Sequence, residues 1–318
     1  MAGFPAPQAG VRYLTEGGQE TELMYKHGHD LPEFAMYPLL DNPAAVADLT
    51  DMYTRYLEVA ATHGFVPLVG GLDYRASPDW AAKLGISPAG LVEYQHRCIA
   101  FLREVADPFA ERVPRILYAG IVGPRGDAYG EDREITAAEA EDYHSVQLDT
   151  LRAAGVDMVG AMTFNNVPEA VGVARAAHGA GLPISVSFMV DSDGRILTGP
   201  TLQEAVEAVD AEAGAAQPDF YGINCSHPNE FAPALTPGGW LERVRMLRPN
   251  ASTTDKQSLC TIGHLEAGDA GSLGGQLADL VRQHPHIDVV GGCCGTWTDH
   301  LEAAASQIRA SESVVRSR

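Results

Sequence analysis

Along this chain, short apolar runs alternate with longer amphipathic stretches, and the alternation repeats almost from end to end. The runs Val11 to Thr15, Phe65 to Val69, Arg115 to Val122, Val156 to Phe164 and Ile184 to Val190 are apolar nearly throughout. That pattern belongs to parallel strands covered on their outer face, not to half-exposed strands that alternate. Two further runs end on cysteine, Phe220 to Cys225 and Val289 to Cys294. Between the runs, helix signals recur. Asp41-Asn42-Pro43 places proline at a first helical position. Val46, Leu49, Tyr53, Tyr56, Leu57 and Ala60 then return at helical spacing as far as Gly64. Ser87-Pro88 opens another helix. Thr136 with Glu139, and Thr201 with Glu204, predict capping boxes for helices reaching Ala154 and Ala213. Helices are also expected from Pro168 to Gly179, near Trp240, over Leu273 to Arg282, and from Thr298 to Ala310. The segment Gln19 to Leu40 reads as irregular.

Seven clear strands, and a weaker eighth over Arg248 to Ser252, alternate with helices. That number of βα units predicts an α/β fold, a single (β/α)8 TIM-type barrel, in place of an open doubly wound sheet. The barrel is assigned to residues 11–312, with 1–10 as a flexible Pro/Gly/Ala-rich arm and 313–318 as a tail. In such barrels the functional groups stand at the C-terminal ends of the strands.

Composition narrows the class. The chain has 318 residues, 45% of them hydrophobic, and a formal charge of −20. No apolar run approaches the roughly 18 residues of a membrane span. The charge argues against nucleic acid, anionic membranes and phosphate-rich partners. The first residues carry no basic segment followed by an apolar core, so no signal peptide is expected. Five cysteines, two of them adjacent, do not form a disulfide framework, and a cytoplasmic setting would keep them reduced.

The candidate chemistry lies in Val289-Val290-Gly291-Gly292-Cys293-Cys294-Gly295-Thr296. A strand ends there in a loop that three glycines make permissive, and two thiols sit at its tip. Adjacent cysteines seldom bond each other, but both can ligate one soft metal. Cys225 ends another strand, and three thiolates at strand tips suit zinc with a fourth position open. Cys98, within a helix, and Cys260, in a polar loop, have no such partners and read as structural. His227, two residues past Cys225, faces the site or solvent. His27 and His29 follow the first strand, and His300 starts a helix where packing or capping is its expected role. Gly17 and Gly18 form a tight turn whose amides could approach a substrate, with no phosphate-binding glycine pattern around them.

The strings G-x-N-C (Gly222 to Cys225) and G-G-C-C-G-T (Gly291 to Thr296) resemble the zinc signature of the homocysteine S-methyltransferase family, and the resemblance extends from Leu14 to about Ala304. It implies a Zn2+ cofactor on Cys225, Cys293 and Cys294, a small-molecule thiol as acceptor, and a separate methyl donor. The length leaves no room for a cobalamin or folate domain, which favours a sulfonium donor. The resemblance, together with the first βα turn and the neighbourhood of Cys225, places Glu16, Gly17, Tyr74, Met162, Thr163, Asn224 and His227 at the substrate, with no catalytic residue beyond the metal site. Tyr74 matches the tyrosine of the family's N-T-Y-Q-A-S segment.

Two positions depart from the family pattern. Members begin D-G-G-x-G-T-E-L, and this chain has Glu16-Gly17-Gly18-Gln19-Glu20-Thr21-Glu22-Leu23. Relatives carry a glutamate before the threonine of the fourth strand, where this chain has Met162-Thr163. Both family carboxylates hold the substrate ammonium, so one is altered here and one is missing. Two alternatives therefore stay open: the same chemistry on a thiol other than homocysteine, and a non-catalytic zinc- or thiol-binding barrel. An unrelated barrel lyase would need a strand-tip lysine or a carboxylate cluster, and the sequence offers neither.

Overall fold

The computed structural model describes residues 3–130, 135–254 and 266–316. Eight parallel strands close on themselves in sequence order. They are β1 (Tyr13–Leu14), β2 (Val66–Val69), β3 (Leu117–Val122), β4 (Met158–Phe164), β5 (Ile184–Phe188), β6 (Phe220–Asn224), β7 (Val244–Arg248) and β8 (Val289–Val290). Closure is made by β1 against β8, with Tyr13 opposite Val289. The helices between them are α1 (Gln19–Tyr25), α2 (Pro43–His63), α3 (Pro78–Lys83), α4 (Pro88–Ala106), α5 (Ala137–Ala154), α6 (Val167–Ala180), α7 (Leu202–Ala213), α8 (Pro228–Phe231), α9 (Ala270–Gln283) and α10 (Thr298–Arg316). The architecture is the (β/α)8 barrel that the alternation predicts. Among the described residues no helix is long and apolar enough to cross a membrane.

Local signals place the helices. Asn42 caps α2 by accepting the Ala44 N–H, and Gly64 ends it in the left-handed region at φ 66°. Both predicted capping boxes form, on α5 and α7. The strands explain their unbroken apolarity through two separate cores. Tyr13, Leu68, Ile121, Met158, Met162, Met246 and Val289 fill the lumen, while Leu14, Val69, Val159, Val186, Ile223 and Leu247 pack outward against the helices. Alternation along each strand is real, but both faces are buried.

Several expectations shift. The eighth strand lies at Val244–Arg248, not at Arg248 to Ser252. Its run was masked by two arginines that find partners inside the protein, Arg245 with Asp288 at 2.6 Å and Arg248 with Glu16 at 3.5 Å. The stretch Gln19 to Leu40, expected to be irregular, contains α1 and two short 3-10 turns, and α3 is an additional helix. The last helix runs on past Ala310 to Arg316. In the N-terminal arm, Phe4 is anchored: its N–H donates to Asp219 Oδ1 and its ring lies 5.0 Å from Tyr13 and 4.9 Å from Phe220. Cys260 lies outside the described residues.

Candidate metal centre and the cavity above it

The strand period decides which side chains reach the barrel mouth. In β6, Phe220 is in the lumen while Tyr221 and Ile223 face the helices, so Asn224 comes inward. By the same count Cys225 would face outward. Its backbone adopts a left-handed φ of 55°, which breaks the period and brings its sulfur into the sulfur cluster at the mouth. Thr163, at the tip of β4, is also left-handed, with φ 62°. Such a conformation costs a non-glycine residue about 1–2 kcal/mol, and Asn224 holds both residues in it. Asn224 Oδ1 accepts the Thr163 N–H at 2.9 Å, and Nδ2 donates to Thr163 Oγ1 at 2.7 Å and to Cys225 Sγ at 3.3 Å. Asn250 adds a bond from Nδ2 to the Cys225 carbonyl at 3.1 Å.

The other two thiols arrive on the loop after β8. The Cys293 N–H donates to the Pro249 carbonyl at 2.8 Å, and the Cys293 carbonyl accepts from Thr296 Oγ1 at 2.7 Å. The β1 turn packs directly on this loop. The Gly18 N–H donates to the Thr296 carbonyl at 2.7 Å, and a Cβ on Gly18 would stand 2.3 Å from the Cys293 carbonyl oxygen. Gly17 is as tight, with a Cβ position 2.7 Å from the Thr296 carbonyl oxygen. These two glycines therefore seat the cysteine loop.

The sulfurs of Cys225, Cys293 and Cys294 all lie within 4.8 Å of one another. Cys225 and Cys293 are joined as a disulfide, with Sγ–Sγ 2.14 Å and Cα–Cα 5.3 Å, and Cys294 stands outside that bond. The expectation of reduced thiols is thus corrected for this pair, because the spacing that suits a shared metal also allows the two sulfurs to bond. The donor set suits a soft ion by its chemistry, three sulfurs within 4.8 Å of one another, and bonds of about 2.3 Å to all three would draw them to within roughly 4 Å. Ligation by all three residues requires the disulfide to be reduced first.

The sulfur cluster opens onto a cavity of about 400 Å³, whose wall includes Gly17, Tyr74, Met162, Thr163 and Asn224. Burial pushes the Tyr74 hydroxyl up. Glu16 is 3% exposed and does not line this cavity; it accepts the Gly70 N–H and stands 3.5 Å from Arg248 Nη2. Burial raises its carboxyl and Arg248 draws it back down. His227 does not line the cavity either. It caps α8, its Nδ1 accepting the Asn229 N–H at 3.2 Å, and burial pushes its ring pKa down. His27 and His29 both turn to Asp48, at 3.2 and 2.7 Å, and His300 bonds the Ala267 carbonyl at 2.7 Å as a packing residue. Cys98 is fully buried in α4.

Five charged residues of the cavity wall were not expected at the site, Glu20, Arg75, Asp127, Arg248 and Glu266, and the first, second and fourth of these had a signal. Glu20 replaces a glycine of the family's opening motif, Arg75 stands where N-T-Y-Q-A-S has glutamine, and Arg248 ends its strand just as Cys225 follows its own.

The sequence profile of the homocysteine S-methyltransferase family matches residues 13–308. Comparison with curated proteins gives no match. Among solved structures, the oxidized form of the homocysteine methyltransferase MmuM from Escherichia coli superposes with a TM-score of 0.73 at 21% identity, covering 93% of this chain and 96% of that one. The metallated form of the same protein gives 0.72 at 21% identity over the same shares. Its apo form gives 0.66 at 19% identity, covering 94% and 96%. At these identities the likeness establishes the fold.

Proposed function

Because this chain belongs to the homocysteine S-methyltransferase family, we propose that it transfers a methyl group from a sulfonium donor to a thiol acceptor, homocysteine or a related thiol, at a zinc site formed by Cys225, Cys293 and Cys294. The observation that carries this reading is the meeting of three sulfurs from two strand tips on the floor of one cavity. The metal, when bound, would keep the acceptor sulfur as thiolate near neutral pH, where a free thiol is mostly protonated.

The chain's own residues do the rest. Asn224 fixes the direction of Cys225 Sγ through an N–H···S bond and fixes the Thr163 backbone beside it. The β1 turn and Thr296 hold the Cys293 loop in place. Tyr25, Phe34, Tyr74 and Tyr129 give the cavity aromatic surface, which suits an onium methyl donor. In the transfer, the acceptor loses its thiol proton, its sulfur bonds the methyl carbon, and the donor's C–S bond breaks to leave a neutral thioether. Alignment of the two substrates within one walled cavity supplies the proximity term. Met162 favours a second reading, that the acceptor is not homocysteine, since an apolar side chain stands where relatives carry a carboxylate.

The test is loading and turnover. Reduced protein should take up about one zinc per chain, and Cys225→Ser, Cys293→Ser or Cys294→Ser should lose most of it, as thiolates are the ligands. Protein kept oxidised should take up far less. Reduced, loaded protein should form methionine from homocysteine and S-methylmethionine. Full zinc occupancy in a Cys293→Ser/Cys294→Ser variant would end the metal assignment. Zinc uptake without turnover on any thiol and sulfonium would leave only a binding protein.

A further inference from the structure

The cavity and its margin hold four acids and two arginines whose pairing is uneven. Glu16 has both oxygens engaged, one by the Gly70 N–H and one by Arg248. Arg248 also gives its Nε to the Gly292 carbonyl at 3.1 Å. Arg75 is 8% exposed and stacks over Trp80 at 4.1 Å. It gives Nη1 to the Gly126 carbonyl at 2.9 Å, lies 4.0 Å from an exposed Asp127, and leaves its buried Nε without an acceptor. Both guanidiniums keep donors in hand.

Glu20 sits in the first turn of α1 and lines the same cavity. Its carboxylate bonds its own backbone N–H, and among the described residues no cation pairs with it within 4.0 Å. The other acids of the wall are engaged: Asp127 accepts the Tyr129 N–H at 3.1 Å, and Glu266 accepts from Ser252 and Thr254. Met162, opposite the sulfur site, offers no charge. Glu20 is thus a half-buried carboxylate on the cavity wall with no direct ion pair among the described residues, and Arg248 and Arg75 act on it only from beyond contact distance; a charge so placed, without a partner in contact, is costly.

We propose that Glu20 is the specificity-determining residue for the acceptor: it receives the ammonium group of an amino-acid thiol whose carboxylate lies toward Arg75 and Arg248. This rests on the methyl-transfer reading and adds to it the charge pattern of the acceptor, a zwitterion with its sulfur at the cysteines. The role that the opening motif gives to Glu16 passes four residues on, because Arg248 has taken Glu16 as its own partner.

Binding can be measured apart from catalysis. L-methionine is the methylated amino-acid thiol, and 4-(methylthio)butanoate is the same molecule without the ammonium. Both are titrated calorimetrically into reduced, metal-free protein, wild type and the variants Glu20→Gln and Glu20→Asp, each checked for native circular dichroism. Wild type should prefer methionine by about 10- to 100-fold, the range of one hydrogen-bonded charge pair. Glu20→Gln should abolish that preference while leaving the affinity for 4-(methylthio)butanoate unchanged, and Glu20→Asp should retain part of it. Failure of wild type to bind methionine overturns the proposal. So does tighter binding of the des-amino compound, or an equal loss for both ligands in Glu20→Gln, which would mark Glu20 as a packing residue. If methionine binds as described and no thiol is methylated, the methyl-transfer reading falls alone. If a thiol without an amino group proves the better acceptor, Glu20's role falls and methyl transfer stands.

Discussion

Replacing Asn224 with alanine should separate what the barrel needs from what the metal needs. Asn224 is 3% exposed and makes three hydrogen bonds, two to Thr163 and one to Cys225 Sγ. Alanine leaves the buried Thr163 N–H without an acceptor, a loss of about 1–3 kcal/mol. It also releases two left-handed residues, whose relaxation returns part of that loss while moving Cys225 Sγ away from its partners. The expected result for metal-free, reduced protein is a destabilisation of about 1–3 kcal/mol in urea unfolding. Zinc affinity, read by competition with a chelating dye, should fall about 10- to 100-fold, the usual effect of removing a residue that orients a ligand. Asn224→Asp keeps an acceptor for the Thr163 N–H but loses both donors. It should therefore unfold closer to wild type while still losing metal affinity. An alanine variant that matches wild type in both urea midpoint and zinc affinity would refute the clamp.

Two further outcomes are expected. Asp73 is fully buried, its Oδ1 accepting the Ile121 N–H at 3.0 Å and its Oδ2 without a partner, and burial raises its pKa to about 7. Between pH 4 and 7 the folded protein then binds the proton more than the unfolded chain does. Stability from this group is therefore fully present below the ordinary aspartate range and is lost as pH rises through about 7, by up to about 4 kcal/mol. Asp73→Asn should remove that slope, gaining most on wild type at pH 8 and progressively less toward pH 4; parallel pH profiles in chemical unfolding would refute this. Gly18→Ala puts a methyl 2.3 Å from the Cys293 carbonyl oxygen. It should displace the cysteine loop and cut zinc affinity at least about tenfold, whereas an unchanged dye-competition curve would show that the turn can yield.

The barrel was legible because both faces of its strands are buried, which gives apolar runs that need no partner to be recognised. The cysteine loop was legible because Gly291, Gly292 and Gly295 advertise a backbone that few functions require. β7 was misplaced because its arginines read as polar until their partners, Asp288 and Glu16, are brought across the barrel. The same long-range pairing hid the site's charge pattern. Glu16 stands at the motif position, yet its availability depends on Arg248, which lies more than two hundred residues away in sequence. His227 shows the reverse: nearness to Cys225 in the chain suggested a contact, and a local cap holds it instead.

The meeting of β1 and β8 has a consequence for how the protein is made. Cys225 emerges well before Cys293, from which 68 positions separate it, and the Cys293 loop is seated by Gly17 and Gly18 near the other end of the chain. On the metal assignment proposed above, no nascent fragment that stops short of β8 would bring all three sulfurs together. Ring closure and acquisition of an ion would then be one event, and the ion would stabilise only those chains whose first and last strands have met.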